Sequence, residues 1–106
     1  MVTSKVVCQI EDVPCDIPLR VQIDGLPILA VYRLSDGVYV TDATCTHGDA
    51  PLTDGYLEDD EIECPYHGGR FCVRTGRPTA FPATEALRTY PARVESGAVI
   101  IEVEKQ

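Results

Sequence analysis

The sequence predicts an all-β protein built from antiparallel strands. Short runs rich in Val, Ile, Tyr and Leu are separated by Gly, Pro and Asp turns, and no long stretch has clear helical periodicity. The predicted strands are Val6–Ile10, Leu19–Ile23, Leu26–Arg33, Val38–Thr41, Glu61–Cys64, Arg70–Cys72, Leu87–Thr89, Ala92–Glu95 and Ala98–Val103. A chain of 106 residues has room for one domain around a modest core, so we expect a single domain over 1–106.

Three dipeptides predict tight turns between consecutive strands. Asp24-Gly25 and Asp36-Gly37 each separate two strand runs, and Asp-Gly is a strong hairpin signal. Ser96-Gly97 separates the last two runs in the same way. The acidic run Glu58–Glu61 is predicted to be a solvated turn. In Val99–Glu104 the alternation predicts acidic residues that face water and aliphatic residues that face the core.

The charge of the chain argues against several classes of partner. Nine Lys and Arg against 17 Asp and Glu give a formal net charge of −8. Phosphate backbones and anionic membranes repel such a chain, so neither nucleic acid nor a membrane is an expected partner. A basic docking face on another protein would instead attract it. No apolar run approaches the roughly 20 residues of a membrane span, and no secretory signal is visible, so we expect a cytoplasmic protein.

Two short motifs in the segment 43–82 concentrate the chemistry of the chain. This segment has few aliphatic residues but contains three of the five cysteines and both histidines. Cys45-Thr46-His47 reads C-x-H, and after sixteen residues Cys64-Pro65-Tyr66-His67 reads C-x-x-H. Glycines follow both motifs, and they would let backbone N–H groups approach a buried inorganic sulfur. We therefore expect Cys45, His47, Cys64 and His67 to be metal ligands, with no catalytic residue among them.

The arrangement of these ligands distinguishes two kinds of metal site. A structural zinc site is one alternative, since two cysteines and two histidines are a common zinc ligand set. Zinc fingers usually keep like ligands close together, whereas here each loop supplies one Cys and one His. In a Rieske [2Fe-2S] cluster one iron has two cysteines and the other has two histidines. Two equivalent Cys–His loops match that division, so the spacing favours the cluster.

The motifs resemble those of the Rieske proteins. The wider segments T-C-T-H-G-D, which begins at Thr44, and F-C-V-R-T-G, which begins at Phe71, are similar to the small ferredoxins of bacterial aromatic-ring-hydroxylating dioxygenase systems. The similarity extends over essentially the whole chain. It implies a Rieske fold, in which an antiparallel β-sandwich base carries a smaller cluster-binding subdomain at about 43–82. It also implies that the proline-containing segment 80–83 is the third loop, which covers the cluster.

The resemblance further implies an electron carrier that is not itself an enzyme. Such a ferredoxin, expected to be a monomer, takes single electrons from an NADH-dependent flavoprotein reductase. It passes them to a terminal oxygenase with its own Rieske centre and mononuclear non-haem iron. This chain has no histidine left for such an iron site. The alternative is a small Rieske subunit of another oxidoreductase, such as a nitrite-reductase-like complex.

Four positions distinguish this chain from the respiratory Rieske proteins. Those proteins carry a disulfide between the cluster loops, where this chain has Ala50 and Tyr66. They also carry a serine and a tyrosine, which donate hydrogen bonds to sulfur, where this chain has Gly69 and Phe71. Without those donors the reduced, more negative cluster is less stabilised. The resemblance therefore predicts a reduction potential near the lower end of the roughly −150 to +300 mV Rieske range.

The other cysteines and the local arginines are expected to have no chemical role. Cys8 and Cys15 lie outside the cluster segment and are predicted to be small apolar fillers. Cys72 follows His67 by five residues, but the ligand set is already complete, so packing is preferred. The remaining basic residues of this region are predicted to be solvated charges at strand edges, with partner docking as the alternative; they are Arg70, Arg74 and Arg77.

Overall fold

A computed structural model describes residues 2–46, 51–66, 68–81 and 83–104. The strands of these residues are β1 Val2–Gln9, β2 Leu19–Val21, β3 Leu29–Leu34, β4 Gly37–Asp42, β5 Tyr56–Glu58, β6 Glu61–Glu63, β7 Arg70–Cys72, β8 Pro78–Ala80, β9 Thr89–Tyr90, β10 Ala92–Glu95 and β11 Ala98–Glu104. Short 3-10 turns occur at Ile10–Asp12 and Leu52–Asp54. The described part of the chain contains no helix long and apolar enough to cross a membrane.

The strands form three antiparallel sheets, which confirms the predicted all-β class. The first sheet has the order β1-β11-β10, the second β2-β3-β4-β9 and the third β5-β6-β7-β8. Consecutive strands pair along most of each sheet, as expected for chains joined by short turns. The exceptions are β1 with β11 and β4 with β9, whose partners are far apart in the sequence.

Strand β3 supplies side chains to both hydrophobic cores. Leu29 and Val31 pack with buried residues of the first sheet, such as Ile101. Ala30 and Tyr32 lie in a second core together with buried residues of the third sheet. Successive side chains of a strand point to opposite faces, so a strand covered on both faces is apolar throughout rather than alternating. This explains why the run reads as continuously hydrophobic in the sequence.

The predicted tight turns are confirmed at all three positions. Strands β3 and β4 meet at Asp36-Gly37, where Gly37 has a φ of 148°. Strands β10 and β11 meet at Ser96-Gly97, with φ values of 50° and 82°. Asp24-Gly25 also turns the chain, since the Leu26 N–H donates to the Ile23 carbonyl at 3.1 Å and Gly25 has a φ of 85°. The two strands are shorter than predicted there, because β2 ends at Val21 and β3 begins at Leu29. Pro27, which has no N–H to donate to a strand ladder, lies within this longer connection.

The third sheet contains two strands that the sequence did not predict. Strands β5 and β8 have three residues each, and β8 begins with a proline at the edge of the sheet. Edge positions tolerate proline because its missing N–H would have faced away from the ladder. The predicted turn at Glu58–Glu61 is present between β5 and β6, with Asp59 at a positive φ of 54°.

Arg74 joins the second and third sheets through their turns. Its guanidinium donates to the Asp36 carboxylate and to the Tyr39 hydroxyl at 2.8 Å, and it lies 5.1 Å from the centre of the Tyr39 ring. Its Nε lies 3.3 Å from the carboxylate of Asp60 in the β5–β6 turn. Arg74 is accessible to solvent, as expected, but it also forms ion pairs that the sequence did not predict. The same holds for Arg70, which pairs with Glu63 at 2.9 Å.

We expect the contacts between Arg74 and the two turns to weaken in acid. The hydrogen bond from Arg74 holds the pKa of Asp36 below its usual range. A carboxyl whose folded pKa is depressed stabilises the fold above its unfolded pKa, near 3.9, and loses that contribution as the pH falls through the folded value. Arg74→Gln should therefore lower the urea midpoint at pH 7, and the deficit should shrink below about pH 4. Because these groups are exposed, the effect should be small.

The matched control for this prediction is Arg77→Gln. Arg77 is exposed and has no ion pair within the described part of the chain, so its replacement should leave the urea midpoint unchanged at either pH. A deficit of Arg74→Gln that is as large at pH 3 as at pH 7 would contradict the electrostatic origin.

Candidate iron–sulfur site

The first cysteine loop leaves the end of β4 and returns to it. Beyond β4, the Ala43 N–H donates to the carbonyl of Ile28 at 2.9 Å. Thr44 and Pro51 form an isolated antiparallel bridge, and the Leu52 N–H donates to the Ala43 carbonyl at 2.6 Å. Both ends of the loop are thus fixed to the base of the molecule. Cys45 lies directly beyond this closure and is 3% exposed.

The second cysteine loop connects β6 to β7. The Cys64 N–H donates to the Gly69 carbonyl at 2.7 Å, and the Gly68 N–H donates back to the Cys64 carbonyl at 3.2 Å. Gly68 has a φ of 74°, a conformation that costs glycine little and other residues more. The glycine after the C-x-x-H motif is therefore required by the turn itself. Cys64, at the start of the turn, is 1% exposed.

Both cysteines belong to one hydrophobic core below the loops. Cys45 and Cys64 are grouped with Phe71, Leu52 and other buried residues in the core shared by the second and third sheets. The other two predicted ligands, His47 and His67, lie outside the described residues, as does Ala50. Among the described residues, no three Cys, His, Asp or Glu side chains form a group that could hold a metal ion.

The donor set fits a Rieske cluster rather than a pair of filler cysteines. Two loops from different sheets bring their cysteines into the same core, and each loop also carries one histidine in its sequence. Softer thiolate ligands and borderline imidazole ligands are the set that such a cluster uses. The tight backbone at Gly68 and Gly69 fits the close approach that inorganic sulfur needs.

A third segment packs against the second loop. A Cβ atom at Gly69 would lie 3.0 Å from the Ala83 nitrogen and 3.1 Å from the Ala83 Cβ, so only glycine fits without movement. Ala83 is buried, and its N–H donates to the Ala80 carbonyl at 3.1 Å. This placement agrees with the expected third loop, although Pro82 lies outside the described residues.

The three remaining cysteines lie elsewhere or point elsewhere. Cys72 is half-buried on β7, next to the fully buried Phe71. Neighbouring side chains of a strand point to opposite faces, so Cys72 faces away from the core that holds Cys64. Cys15 is exposed. Cys8 lies half-buried on β1, where burial, followed by the nearby Asp12, raises the pKa of its thiol and disfavours the thiolate.

Sequence reasoning missed one contact of the first loop. The Thr46 hydroxyl, between the predicted ligands Cys45 and His47, donates to the Glu85 carbonyl at 2.7 Å. The two residues are 39 positions apart, and a backbone carbonyl carries no side-chain signature. No pattern in the sequence could therefore have indicated this bond.

The chain is similar to known ferredoxins over nearly its whole length. It is 41% identical over 97 residues to the 3-phenylpropionate/cinnamic acid dioxygenase ferredoxin subunit of Escherichia coli K12, covering 91% of this chain and 90% of that protein. The structure of a Sphingomonas yanoikuyae B1 ferredoxin superposes with a TM-score of 0.92 at 43% identity, covering 96% of this chain and all of that one.

A third similarity is to a ferredoxin solved together with its oxygenase. A chain from the complex of reduced oxygenase and oxidized ferredoxin in carbazole 1,9a-dioxygenase superposes with a TM-score of 0.88 at 43% identity. The match covers 97% of this chain and 95% of that one. The predicted resemblance to ferredoxins of dioxygenase systems is thereby confirmed. Like these relatives, the chain is an electron-transfer component rather than a catalyst.

The Rieske prediction is confirmed by a family comparison as well. The model of the Rieske [2Fe-2S] domain matches residues 3–91, and the described strands form the corresponding antiparallel sheets. Three observations indicate the same cofactor, one [2Fe-2S] cluster. They are the two buried cysteines from two loops, the C-x-H and C-x-x-H motifs, and this family match. The zinc alternative is thereby displaced. The chain therefore belongs to the Rieske [2Fe-2S] domain family.

Proposed function

We propose that Cys45 and Cys64 bind one iron of the cluster and that His47 and His67 bind the other. The observation that carries this assignment is the meeting of Cys45 and Cys64, from two separate loops, in one buried core. The family's division of ligands then gives the two histidines of the same loops to the other iron. We further propose that residues 1–106 act as a single Rieske domain whose cluster-binding subdomain is about 43–82.

The bound cluster supplies a site that accepts and releases one electron. The chain's own residues contribute its surroundings. Phe71, Leu52 and Ile62 are fully buried in the same core as the two cysteines, so water is kept from that side of the site. A water-poor environment disfavours an added negative charge. The surroundings therefore favour the oxidised, less negative state.

We propose that this site has a low reduction potential within the Rieske range. Gly69 offers no hydroxyl, and its backbone lies in close contact with Ala83. Phe71 is fully buried and also offers no hydroxyl. The net charge of −8 further disfavours an extra electron, although salt screens much of this effect. A potential near the lower end of roughly −150 to +300 mV is the expected value.

We propose a carrier role between two larger proteins in the cytoplasm. The expected donor is an NADH-dependent flavoprotein reductase, and the expected acceptor is the terminal Rieske non-haem iron oxygenase of an aromatic-ring dioxygenase. The relatives support this role, because one is named a dioxygenase ferredoxin subunit and another was solved with an oxygenase. The carrier is expected to be a monomer, and the aromatic substrate would be selected by the oxygenase.

Two exposed aromatic side chains lie beside the cluster loops. Tyr66, within the second motif, is 67% exposed, and Phe81, at the third segment, is 85% exposed. Aromatic residues are enriched at protein interfaces, where they supply much of the buried area. Their position supports electron exchange with partners at this end of the molecule.

The carrier role is tested with the purified holoprotein. We expect a red-brown monomer with near-equal iron and acid-labile sulfide and the Rieske EPR signal on reduction. In catalytic amounts it should couple NADH oxidation by a flavoprotein ferredoxin reductase to the reduction of a terminal aromatic-ring oxygenase. Heat-treated ferredoxin lacking its cluster serves as the control. Stability only inside a larger complex, or reversible reduction without transfer to any such oxygenase, would contradict the carrier role.

A further inference from the structure

One segment contacts both cluster loops from outside them. We call Ala83–Leu87 the strap. Three of its residues, each two positions apart, are anchored to different parts of the cluster subdomain. Ala83 packs against Gly69 in the second loop, and the Glu85 carbonyl accepts the Thr46 hydroxyl of the first loop. The Leu87 N–H donates to the Gly76 carbonyl at 2.8 Å.

Two residues that the strap contacts, Thr46 and Gly69, lie next to proposed ligands. Thr46 lies between Cys45 and His47, while Gly69 follows His67 by two residues. The contact at Gly69 depends on the missing side chain, since a Cβ there would lie 3.0 Å from the Ala83 nitrogen. The contact at Thr46 depends on a hydroxyl that donates at 2.7 Å. The strap thus joins two loops that have no covalent link in this chain, since Tyr66 stands at one of the two disulfide positions.

The third contact of the strap, between Leu87 and Gly76, is also a close backbone contact. Gly76 has a φ of 79°, and a Cβ there would lie 2.3 Å from the Leu87 carbonyl oxygen. Ala83 and Leu87 are buried in the core that holds the two cysteines, whereas Glu85 between them is exposed. The buried ends fix the segment, and the bond to Thr46 fastens its exposed middle to the first loop.

We propose that Thr46 and Gly69 are positioning residues that hold the strap across the two loops and thereby fix the loops relative to each other. This inference rests on the proposed ligand set, because each iron takes one ligand from each loop. A loop that moves relative to its partner changes the ligand geometry at both irons. The strap therefore performs, without covalent chemistry, the task that a disulfide between the loops would perform.

The test is the rate at which an iron chelator removes iron from the reduced holoprotein. Loss of a hydrogen bond of ordinary net strength corresponds to about a two- to tenfold change in an opening equilibrium. Thr46→Val, which keeps the shape but loses the hydroxyl, should accelerate iron release by about that factor. Thr46→Ser restores the hydroxyl and should release iron close to the wild-type rate. Thr79→Val, at an exposed threonine of β8 outside the strap, is the matched control.

Two further readouts separate positioning from general stability. The EPR spectrum of Thr46→Val should shift or broaden because the ligand geometry changes, while its urea midpoint stays near the wild-type value. An unchanged release rate and spectrum in Thr46→Val would overturn the inference, and so would an equal acceleration in Thr46→Ser. Failure of the ligand proposal is distinguishable, because the wild-type protein itself would then lack the Rieske signal.

The strap also predicts that substitutions at Thr46 and Gly69 have coupled effects on iron release. Gly69→Ala places a methyl group against Ala83 and should shift the strap, which should weaken the bond from Thr46. Adding Thr46→Val to Gly69→Ala should therefore accelerate iron release less than it does in the wild-type background. Purely additive effects of the two substitutions would show that the two residues act separately and would contradict a common strap.

Discussion

Replacement of His47 by Cys is expected to lower the reduction potential strongly or to abolish cluster assembly. In the proposed ligand set, a third thiolate adds a negative charge beside the iron that would otherwise have two neutral imidazole ligands. Clusters bound by four cysteines have potentials near roughly −400 mV, well below the Rieske range. The shift should therefore reach a few hundred millivolts. Redox titration followed by EPR measures it, because the Rieske signal should be lost together with the histidine ligand.

The control for the ligand substitution is Cys72→Ser. Cys72 lies half-buried on the face of β7 away from the core that contains Cys64, so we expect an unchanged potential and spectrum. A spectrum of His47→Cys that matches the wild type would show that His47 is not a ligand. Loss of the Rieske EPR signal in Cys72→Ser would show that Cys72 is a ligand, although neither the motif spacing nor its position on β7 indicates one.

Replacement of Phe71 by Tyr is expected to raise the reduction potential. Phe71 is fully buried in the core of Cys45 and Cys64, and by family resemblance a tyrosine here donates to ligand sulfur. Such a bond stabilises the reduced cluster more than the oxidised one, because the reduced cluster is more negative. One hydrogen bond of ordinary strength corresponds to a rise of roughly 20–65 mV for a one-electron couple. Protein-film voltammetry measures this shift directly.

The chain offers a matched control for the added hydroxyl. Its only other phenylalanine, Phe81, is 85% exposed, so the new hydroxyl of Phe81→Tyr would be solvated and should leave the potential unchanged. If Phe71→Tyr only lowered the urea midpoint, its buried hydroxyl would have found no acceptor. That result would contradict the role given to hydrogen-bond donors in setting the potential.

Local sequence signals predicted nine of the described strands, with somewhat different bounds, and missed the two short strands at the edges of the third sheet. The alternation of β11 and the Ser96-Gly97 turn are local, and both were predicted correctly. Strands β5 and β8 have three residues each and exist because β6 and β7 offer them pairing edges. Three residues are too few to display a period, and a proline at the start of β8 argues against a strand in the sequence alone.

The same distinction applies to charged residues. Arg74 was expected to be solvated, yet it bridges Asp36 and Asp60 from two different turns. These partners are 38 and 14 residues away. A charge pattern reveals pairs three or four positions apart on a helix, but it cannot reveal partners that only the packing of two sheets brings together.

The sequence by itself determined the antiparallel β class, the C-x-H and C-x-x-H motifs and the family to which they belong. Their spacing is local, because each motif contains its cysteine and its histidine within a few consecutive residues. Only the tertiary structure decided that Cys45 and Cys64 share one core and that the strap fastens their loops through Thr46 and Gly69. Those contacts depend on a backbone carbonyl and on a missing side chain, and neither leaves a pattern in the sequence.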